Sequence, residues 1–254
     1  MQDTRYEIRN TRNGLWGGRL MIFESLPSTN QWALENIADC RHGDVIRAIH
    51  QTAGKGRFLR EWITPENTCL TITIVLKPQS ADESLATAVM QMAACAVRAT
   101  LEKFKITALL KWPNDVVVNG RKTAGILAEN DPANHCIVLG IGMNVNLTEH
   151  DLGNIQLLQP ATSMAIEKEQ AFDIEQVCSE LLNEFETLYN KSSCLKIWGE
   201  HDFLTGKSIE VQTTDNIITG QYNGIDDQGR LCLTDSSGKK HEFWSGDITL
   251  RNSD

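Results

Sequence analysis

The sequence predicts an α+β fold, with a larger domain of mixed strands and helices followed by a small β-barrel. Strand-like runs such as CLTITIVL at Cys69–Leu76 alternate with segments of helical periodicity, which is clearest at residues 82–104. After His201 the helical pattern stops, and short strand-like runs alternate with turn residues. We therefore expect a larger domain at residues 1–203 and a small one at 204–254.

The elements of the larger domain follow in order. A strand at 20–23 precedes a helix for which Ser28 or Thr29 is a suitable N-cap. Residues 51–61 carry two glycines and several cationic side chains and are expected to form a loop. Asn119-Gly120 is a strong hairpin signal. The other predicted elements are strands at 44–50, Cys69–Leu76, 106–112, 116–118, 122–129 and 136–145, and helices at 82–104 and 173–189.

The smaller domain contains several short runs of β-strand character, separated by turns at 226–229 and 236–238. This spacing is typical of a small barrel. Trp198, Phe203 and Trp244 are interpreted as core residues rather than as a stacking platform. The predicted strands are 208–213, 217–222, 230–234, 240–244 and 248–250.

Composition narrows the class of protein. The chain has 254 residues, of which 41% are apolar and 22% charged, a balance typical of globular proteins. No uninterrupted apolar run approaches the roughly 20 residues that span a bilayer, and the N-terminus has no apolar signal region, so we expect neither membrane insertion nor secretion. A net charge of -9 argues against non-specific nucleic-acid binding.

Seven cysteines are scattered along the chain, and no two of them form a C-x-x-C pair. The odd number and wide spacing argue against a disulfide framework and against a structural zinc site. The six histidines show no ligand spacing either. We therefore expect no resident metal and a reducing, cytoplasmic location.

Three clusters are candidates for chemistry. In QTAGKGRFLR at 51–60, two glycines and the cations Lys55, Arg57 and Arg60 suit an anion, although a solvated surface loop fits that stretch equally. It is neither a dinucleotide fingerprint nor a Walker A loop. KWPNDVVVNGRKTAGIL at 111–127 combines Asp115 and Lys122, which share a face only if the strand register allows it; an ordinary charged hairpin is the alternative. GIGMNVN at 140–146 is weak alone.

Taken together and in order, these clusters resemble the biotin protein ligase family. The matching segments also include Ser28-Thr29-Asn30, Gln51, Trp62 and ATSM at 161–164, and the resemblance extends over roughly residues 20–250. It implies a mixed β-sheet flanked by helices, related to class II aminoacyl-tRNA synthetases, with a C-terminal SH3-like barrel. It also implies a two-step reaction in which biotin and MgATP form biotinyl-5'-adenylate, which then biotinylates a lysine of a biotin carboxyl carrier domain of the acetyl-CoA carboxylase type.

The resemblance also implies residue roles. Lys122, Arg57 and Asp115 would be catalytic: Lys122 would neutralise the carboxylate and α-phosphate, and Asp115 would orient or deprotonate the acceptor lysine. The implied biotin contacts are Ser28, Thr29, Asn30, Gln51, Lys55, Gly56, Arg57 and Lys122, and the implied nucleotide contacts are Arg60, Trp62, Asn114, Asn144 and Ser163.

One residue departs from the family pattern, and several alternatives stay open. The family loop is usually Gly-Arg-Gly-Arg, whereas Lys55 stands second here and lacks the planar guanidinium fork. About 20 residues precede the first matched strand, too few for a winged helix, so we expect no DNA binding. Alternatives are a lipoate ligase, a non-catalytic biotin-sensing regulator and a peptide-binding barrel. A monomer and a homodimer are both compatible with the sequence.

Overall fold

The computed structural model describes residues 6–9, 15–78, 83–155, 159–189, 194–213 and 216–251. An eight-stranded sheet forms the larger domain, in the order β1-β2-β3-β4-β8-β7-β6-β5. Among the strands described, only β2 and β3 pair in parallel, so the predicted mixed sheet is confirmed. Its strands are β1 (Tyr6–Arg9), β2 (Leu20–Leu26), β3 (Val45–Gln51), β4 (Cys69–Leu76), β5 (Leu109–Lys111), β6 (Asp115–Val118), β7 (Arg121–Asp131) and β8 (Cys136–Asn144).

Helices cover both faces of this sheet. The helices are α1 (Thr29–Glu35), α2 (Glu83–Lys103), α3 (Glu149–Gly153), α4 (Met164–Lys168), α5 (Ile174–Tyr189) and α6 (Cys194–Glu200). Side chains of β4 are buried on both faces: Ile72 and Ile74 belong to the main core with α2 and α5, whereas Val75 belongs to the smaller core on the α1 side. The alternation also turns Thr73 toward α1, where the candidate site begins.

Helix α2 is the longest helix in the described part of the protein. Residues Ser84–Lys103 are long and apolar enough to cross a membrane by length and composition, although no uninterrupted apolar run suggested this. However, 56% of the apolar 18-residue stretch within this segment is buried inside the protein, and α2 packs against α5 and β7. It serves as the core helix of the larger domain.

Most predicted elements are confirmed within a few residues. Ser28 caps α1, and Asn119 and Gly120 both have positive φ (51° and 74°), as a two-residue hairpin turn requires. The strand predicted at 106–112 begins too early, since β5 starts at Leu109. The Ile106 N–H instead donates to the Leu101 carbonyl at 2.9 Å, at the C-terminal end of α2. The first strand, β1, was not predicted.

The smaller domain is a five-stranded antiparallel sheet in the order β12-β11-β10-β9-β13, consistent with an SH3-like fold. Among the strands described, no pairing joins its edge strands into a closed ring. Trp198 is fully buried as predicted, whereas Trp244 lies partly exposed beside Arg230. The strands are β9 (Ser208–Gln212), β10 (Ile217–Ile225), β11 (Leu231–Asp235), β12 (Lys240–Phe243) and β13 (Asp247–Leu250).

One glycine turn attaches this small domain to the larger one. The Gly229 carbonyl accepts hydrogen bonds from the Trp112 indole N–H (3.1 Å) and from the Gln91 side-chain amide (2.7 Å). Gly229 has φ +81°, and a Cβ there would lie 2.3 Å from the Gln91 Oε1, so no other residue fits without rearrangement. Trp112 lies directly beyond β5, which places the small domain against the site.

Candidate functional site

A cleft of about 960 Å³ runs over the sheet and is bounded on one side by the small domain. Its size is at the upper end of the range for small-molecule sites. Among the residues predicted for the site, Ser163 is the exception and does not line it. Those that do are Ser28, Thr29, Asn30, Gln51, Lys55, Gly56, Arg57, Arg60, Trp62, Asn114, Asp115, Lys122 and Asn144.

One end of the cleft is a buried polar network whose cleft-lining side chains are neutral. The Gln51 Oε1 accepts from the Thr29 backbone N–H (2.8 Å) and hydroxyl (3.1 Å), and the Thr73 hydroxyl lies 2.6 Å from the Asn30 Oδ1. The Asn30 amide donates to the Glu129 carboxylate at 2.7 Å. Because each side chain is hydrogen-bonded to its neighbour, its orientation is fixed. This end of the cleft therefore presents donors and acceptors in set positions to a ligand.

Glycines on β8 let side chains lie flat on the sheet. A Cβ at Gly140 would lie 2.5 Å from Asn30, and one at Gly142 would lie 2.4 Å from the Trp62 indole. Gly142 pairs with Gly125 of β7, so two glycines face the indole side by side. The Trp62 Nε1 is buried and makes no hydrogen bond within the described part of the protein. It is a donor available to a bound ligand.

The loop between β3 and β4 arches over the cleft. The Trp62 N–H bonds the Gly54 carbonyl (2.9 Å), and the Gly56 N–H bonds the Arg60 carbonyl (2.7 Å), so the loop folds as a small hairpin. Lys55 is exposed at its edge. Phe58 at its tip is about half exposed and has φ 54°, a conformation that few non-glycine residues adopt.

Two arginines tie this loop to the small domain. Arg57 donates to the Ser245 hydroxyl (2.6 Å) and to the Asn114 Oδ1 (3.4 Å). Arg60 forms a two-point ion pair with Asp247, at 3.0 and 2.5 Å. Burial lowers the pKa of the Arg57 guanidinium, and the nearby carboxylates of Asp247 and Asp115 oppose that shift.

A β-bulge brings Lys122 and Asp115 together. Asp115 pairs with Gly125, but Val117 pairs with Lys122 rather than Thr123, so Thr123 is an extra residue in β7. The bulge turns Lys122 to the cleft face, where its Nζ lies 2.6 Å from the Asp115 Oδ1. The contact is an ion pair without the directionality of a good hydrogen bond.

Asn114 and Asn144 hold neighbouring segments in place. The Asn114 amide donates to the Ile126 carbonyl (2.7 Å), and the Asn144 amide donates to the Thr162 carbonyl (2.9 Å). Ser163 is the N-cap of α4: its hydroxyl donates to the Leu147 carbonyl (2.6 Å) and accepts from the Ile166 N–H. A nucleotide contact by Ser163 stays a prediction.

Several polar residues that line or border the cleft were not predicted from the sequence, and four of them connect to the predicted site residues. Lys111 and Gln159 hydrogen-bond each other at 3.1 Å, and Gln159 also donates to the Asp115 Oδ2 at 2.9 Å. Ser245 and Asp247 belong to the small domain. Lys111 stands in the same motif as Asp115, which was a usable signal. The other three are brought in by tertiary packing alone.

Comparison with known proteins gives two family matches. A profile described as "Biotin/lipoate A/B protein ligase family" matches residues 22–144, and one described as "Biotin protein ligase C terminal domain" matches 205–251. The domain boundary near 204 stays a prediction, since the second match begins beside it without testing it.

Individual relatives agree with these profiles. The chain is 30% identical to a biotin--[acetyl-CoA-carboxylase] ligase of Paracoccus denitrificans, over 84% of this chain and 93% of that one. It is 31% identical to a protein of the same name from Mycobacterium tuberculosis, over 81% and 78%. A solved biotin protein ligase from Aquifex aeolicus, in complex with biotin and ATP, has the same fold with a TM-score of 0.76, at 24% identity over 92% of this chain and 99% of that one. The chain therefore belongs to the biotin protein ligase family of enzymes.

Proposed function

We propose that this protein is an ATP-dependent ligase that attaches biotin to a lysine of a biotin carboxyl carrier domain, of the kind found in acetyl-CoA carboxylase. In the first step a biotin carboxylate oxygen attacks the α-phosphorus of ATP and pyrophosphate leaves. In the second, the ε-nitrogen of the acceptor lysine attacks the acyl carbonyl of biotinyl-5'-adenylate and AMP leaves. The observation that carries the proposal is the Lys122–Asp115 pair in a cleft that ends in a neutral polar network.

The polar network suits the biotin head group. A ureido group carries two N–H donors and one carbonyl acceptor and no charge, so it needs neutral partners fixed in place. The Thr29, Asn30 and Gln51 side chains supply both kinds, and all three are buried. A charged side chain there would cost desolvation without a partner in the ligand.

The cationic part of the cleft suits the reacting groups. The carboxylate and the α-phosphate repel each other as they approach, and Lys122 and Arg57 would reduce that repulsion. The loop that carries Arg57 would shield the mixed anhydride from water while it waits for its acceptor. Asp115 would then orient the incoming lysine ammonium and release it as the free amine attacks.

Magnesium enters the proposal as part of MgATP. Within the described ranges, no three His, Cys, Asp or Glu side chains cluster closely enough to hold a metal ion. Mg²⁺ is often held largely by substrate phosphates and water, with one or two protein carboxylates. Asp115 is the cleft carboxylate best situated to contribute, and the ion would supply charge neutralisation at the phosphates.

A reducing compartment such as the cytoplasm is proposed as well. All seven cysteines are free thiols, and five of them are buried. Burial raises the pKa of the Cys69 thiol to about 12, which keeps it protonated and unreactive. These properties suit a protein that keeps its thiols reduced.

The test is mass spectrometry of a carrier domain incubated with the protein, ATP and biotin. We expect a gain of one biotin on one lysine, and no gain when ATP is omitted. A parallel reaction with lipoate in place of biotin tests the alternative that the protein is a lipoate ligase. Labelling by lipoate but not by biotin would overturn the proposed substrate, and tight biotin binding without any labelling would indicate a regulator instead.

A further inference from the structure

The cations of the cleft differ in what they are paired with. Arg60 and Lys122 each contact a carboxylate, Asp247 and Asp115 respectively. Arg57 instead hydrogen-bonds the neutral side chains of Asn114 and Ser245. Lys111, to which no role has been assigned so far, likewise donates to the neutral amide oxygen of Gln159 at 3.1 Å. Two positive charges in the cleft are therefore held by neutral partners.

The strand register fixes where Lys111 lies. Lys111 of β5 pairs directly with Asp115 of β6, so the two side chains share a face of the sheet. Gln159 bridges them, accepting from Lys111 and donating to the Asp115 Oδ2 at 2.9 Å. Lys111 therefore lies next to the Lys122–Asp115 pair, and the Asp115 carboxylate remains ion-paired with Lys122.

Lys111 and Arg57 both line the cleft and reach neighbouring residues of one strand end. Arg57 donates to the Asn114 Oδ1 at 3.4 Å, and Gln159 links Lys111 to the adjacent Asp115. Burial lowers the pKa of the Lys111 ammonium, because an ammonium held away from water is less well solvated. An incoming anion would compensate for that lost solvation and would meet two cationic donors whose hydrogen-bond partners are neutral side chains.

We propose that Lys111 and Arg57 form a subsite for the two terminal phosphates of the nucleoside triphosphate. This inference rests on the proposed function and extends it to a residue outside the predicted site. On binding, the Lys111 ammonium exchanges the Gln159 amide oxygen for phosphate oxygens. When pyrophosphate leaves, Gln159 bridges Lys111 to Asp115 again. The same subsite therefore binds both the triphosphate tail and free pyrophosphate.

The test compares Lys111→Met, which keeps the length of the side chain and removes its charge, with Lys111→Arg. Isothermal titration measures the dissociation constants of inorganic pyrophosphate and, separately, of biotin without ATP. Steady-state kinetics give the KM for ATP. We expect Lys111→Met to weaken pyrophosphate binding and raise the KM for ATP by about 10-fold or more, with biotin affinity unchanged and with substantial recovery in Lys111→Arg.

Lys207→Met is the matched control. It removes a nearby cation that does not line the cleft and whose Nζ lies over the Phe203 ring at 3.2 Å. Wild-type pyrophosphate affinity and ATP KM in Lys111→Met would overturn the inference, and so would an equal loss of biotin affinity, which would indicate a structural role. An unaltered wild type that binds pyrophosphate but never consumes ATP with biotin would instead count against the proposed function.

Discussion

The ammonium of Lys122 and the carboxylate of Asp115 meet at 2.6 Å because one extra residue, Thr123, shifts the register of their strands. In a regular ladder Lys122 would pair with Val118 and point to the opposite face. The geometry predicts separate effects for the two partners. Lys122→Ala should slow adenylate formation by about 100-fold or more, whereas Asp115→Asn should mainly slow transfer to the acceptor.

Two assays separate these steps. ATP–pyrophosphate exchange with biotin reports adenylate formation, and single-turnover transfer from pre-formed biotinyl-adenylate reports the second step. Wild-type exchange in Lys122→Ala would remove Lys122 from the site. An Asp115→Asn variant that loses both activities equally would show that the pair acts as one unit in the first step.

Arg57 is predicted to retain the intermediate. It joins the loop to Ser245 and Asn114, so Arg57→Gly should loosen the loop and let biotinyl-adenylate escape. We expect release about 10-fold faster or more, together with biotin appearing on lysines outside the acceptor site. Peptide mapping of a mixture of acceptor and bystander proteins measures this. Labelling confined to the acceptor lysine would contradict the prediction.

The ion pair between Arg60 and Asp247 offers a charge-reversal test of the contact between loop and small domain. Both side chains are substantially exposed, so each single reversal should change global stability by less than about 1 kcal/mol. Arg60→Asp and Asp247→Arg should each speed adenylate dissociation, and the double variant should recover part of the loss. Additive losses in the double variant would show that the pair does not hold the loop.

Gly142 is predicted to accept no side chain. A Cβ there would lie 2.4 Å from the Trp62 indole, so Gly142→Ala should displace the ring and weaken nucleotide binding by about 10-fold or more. Gly199→Ala is the matched control, because nothing lies within 4 Å of the corresponding Cβ and alanine favours helix α6. Titration with ATP in the absence of biotin, so that no adenylate forms, compares the two affinities. Equal affinities would contradict the role given to Trp62.

The buried ion pair between Asp44 and Arg19 predicts a pH-dependent stability. Burial alone would raise the pKa of the Asp44 carboxyl, but hydrogen bonds from Arg19 and from the Arg41 N–H outweigh burial and lower it. A lowered pKa stabilises the fold at pH above the unfolded value, near 3.9. That stabilisation disappears as pH falls from there through the lowered folded pKa.

Asp44→Asn should therefore lower the free energy of unfolding by about 2 kcal/mol at pH 7, and the difference from wild type should shrink below pH 4. Urea denaturation at several pH values measures it. Asp227→Asn, at an exposed turn, is the control and should change little. A difference that stays constant from pH 7 to pH 3 would exclude the ionised carboxylate as its source.

The sequence alone predicted the parts of this protein that depend on local pattern. Alternation marked Cys69–Leu76, and the hairpin at Asn119-Gly120 followed from turn chemistry. The bulge at Thr123 could not be predicted, because nothing in the local pattern distinguishes it from a regular strand. Asp247 was missed for another reason: it lies 187 residues from Arg60, and only domain packing brings them together.

The Gly229 carbonyl, which accepts from both Trp112 and Gln91, has a consequence for motion. Any rotation of the small domain would have to break two buried hydrogen bonds at once, next to the strand end that carries Lys111. We therefore expect the small domain and that strand end to move as one rigid body. The cleft would then open by movement of the loop at 54–62. Its contacts with the small domain, Arg57 to Ser245 and Arg60 to Asp247, are exposed and break at little cost in free energy.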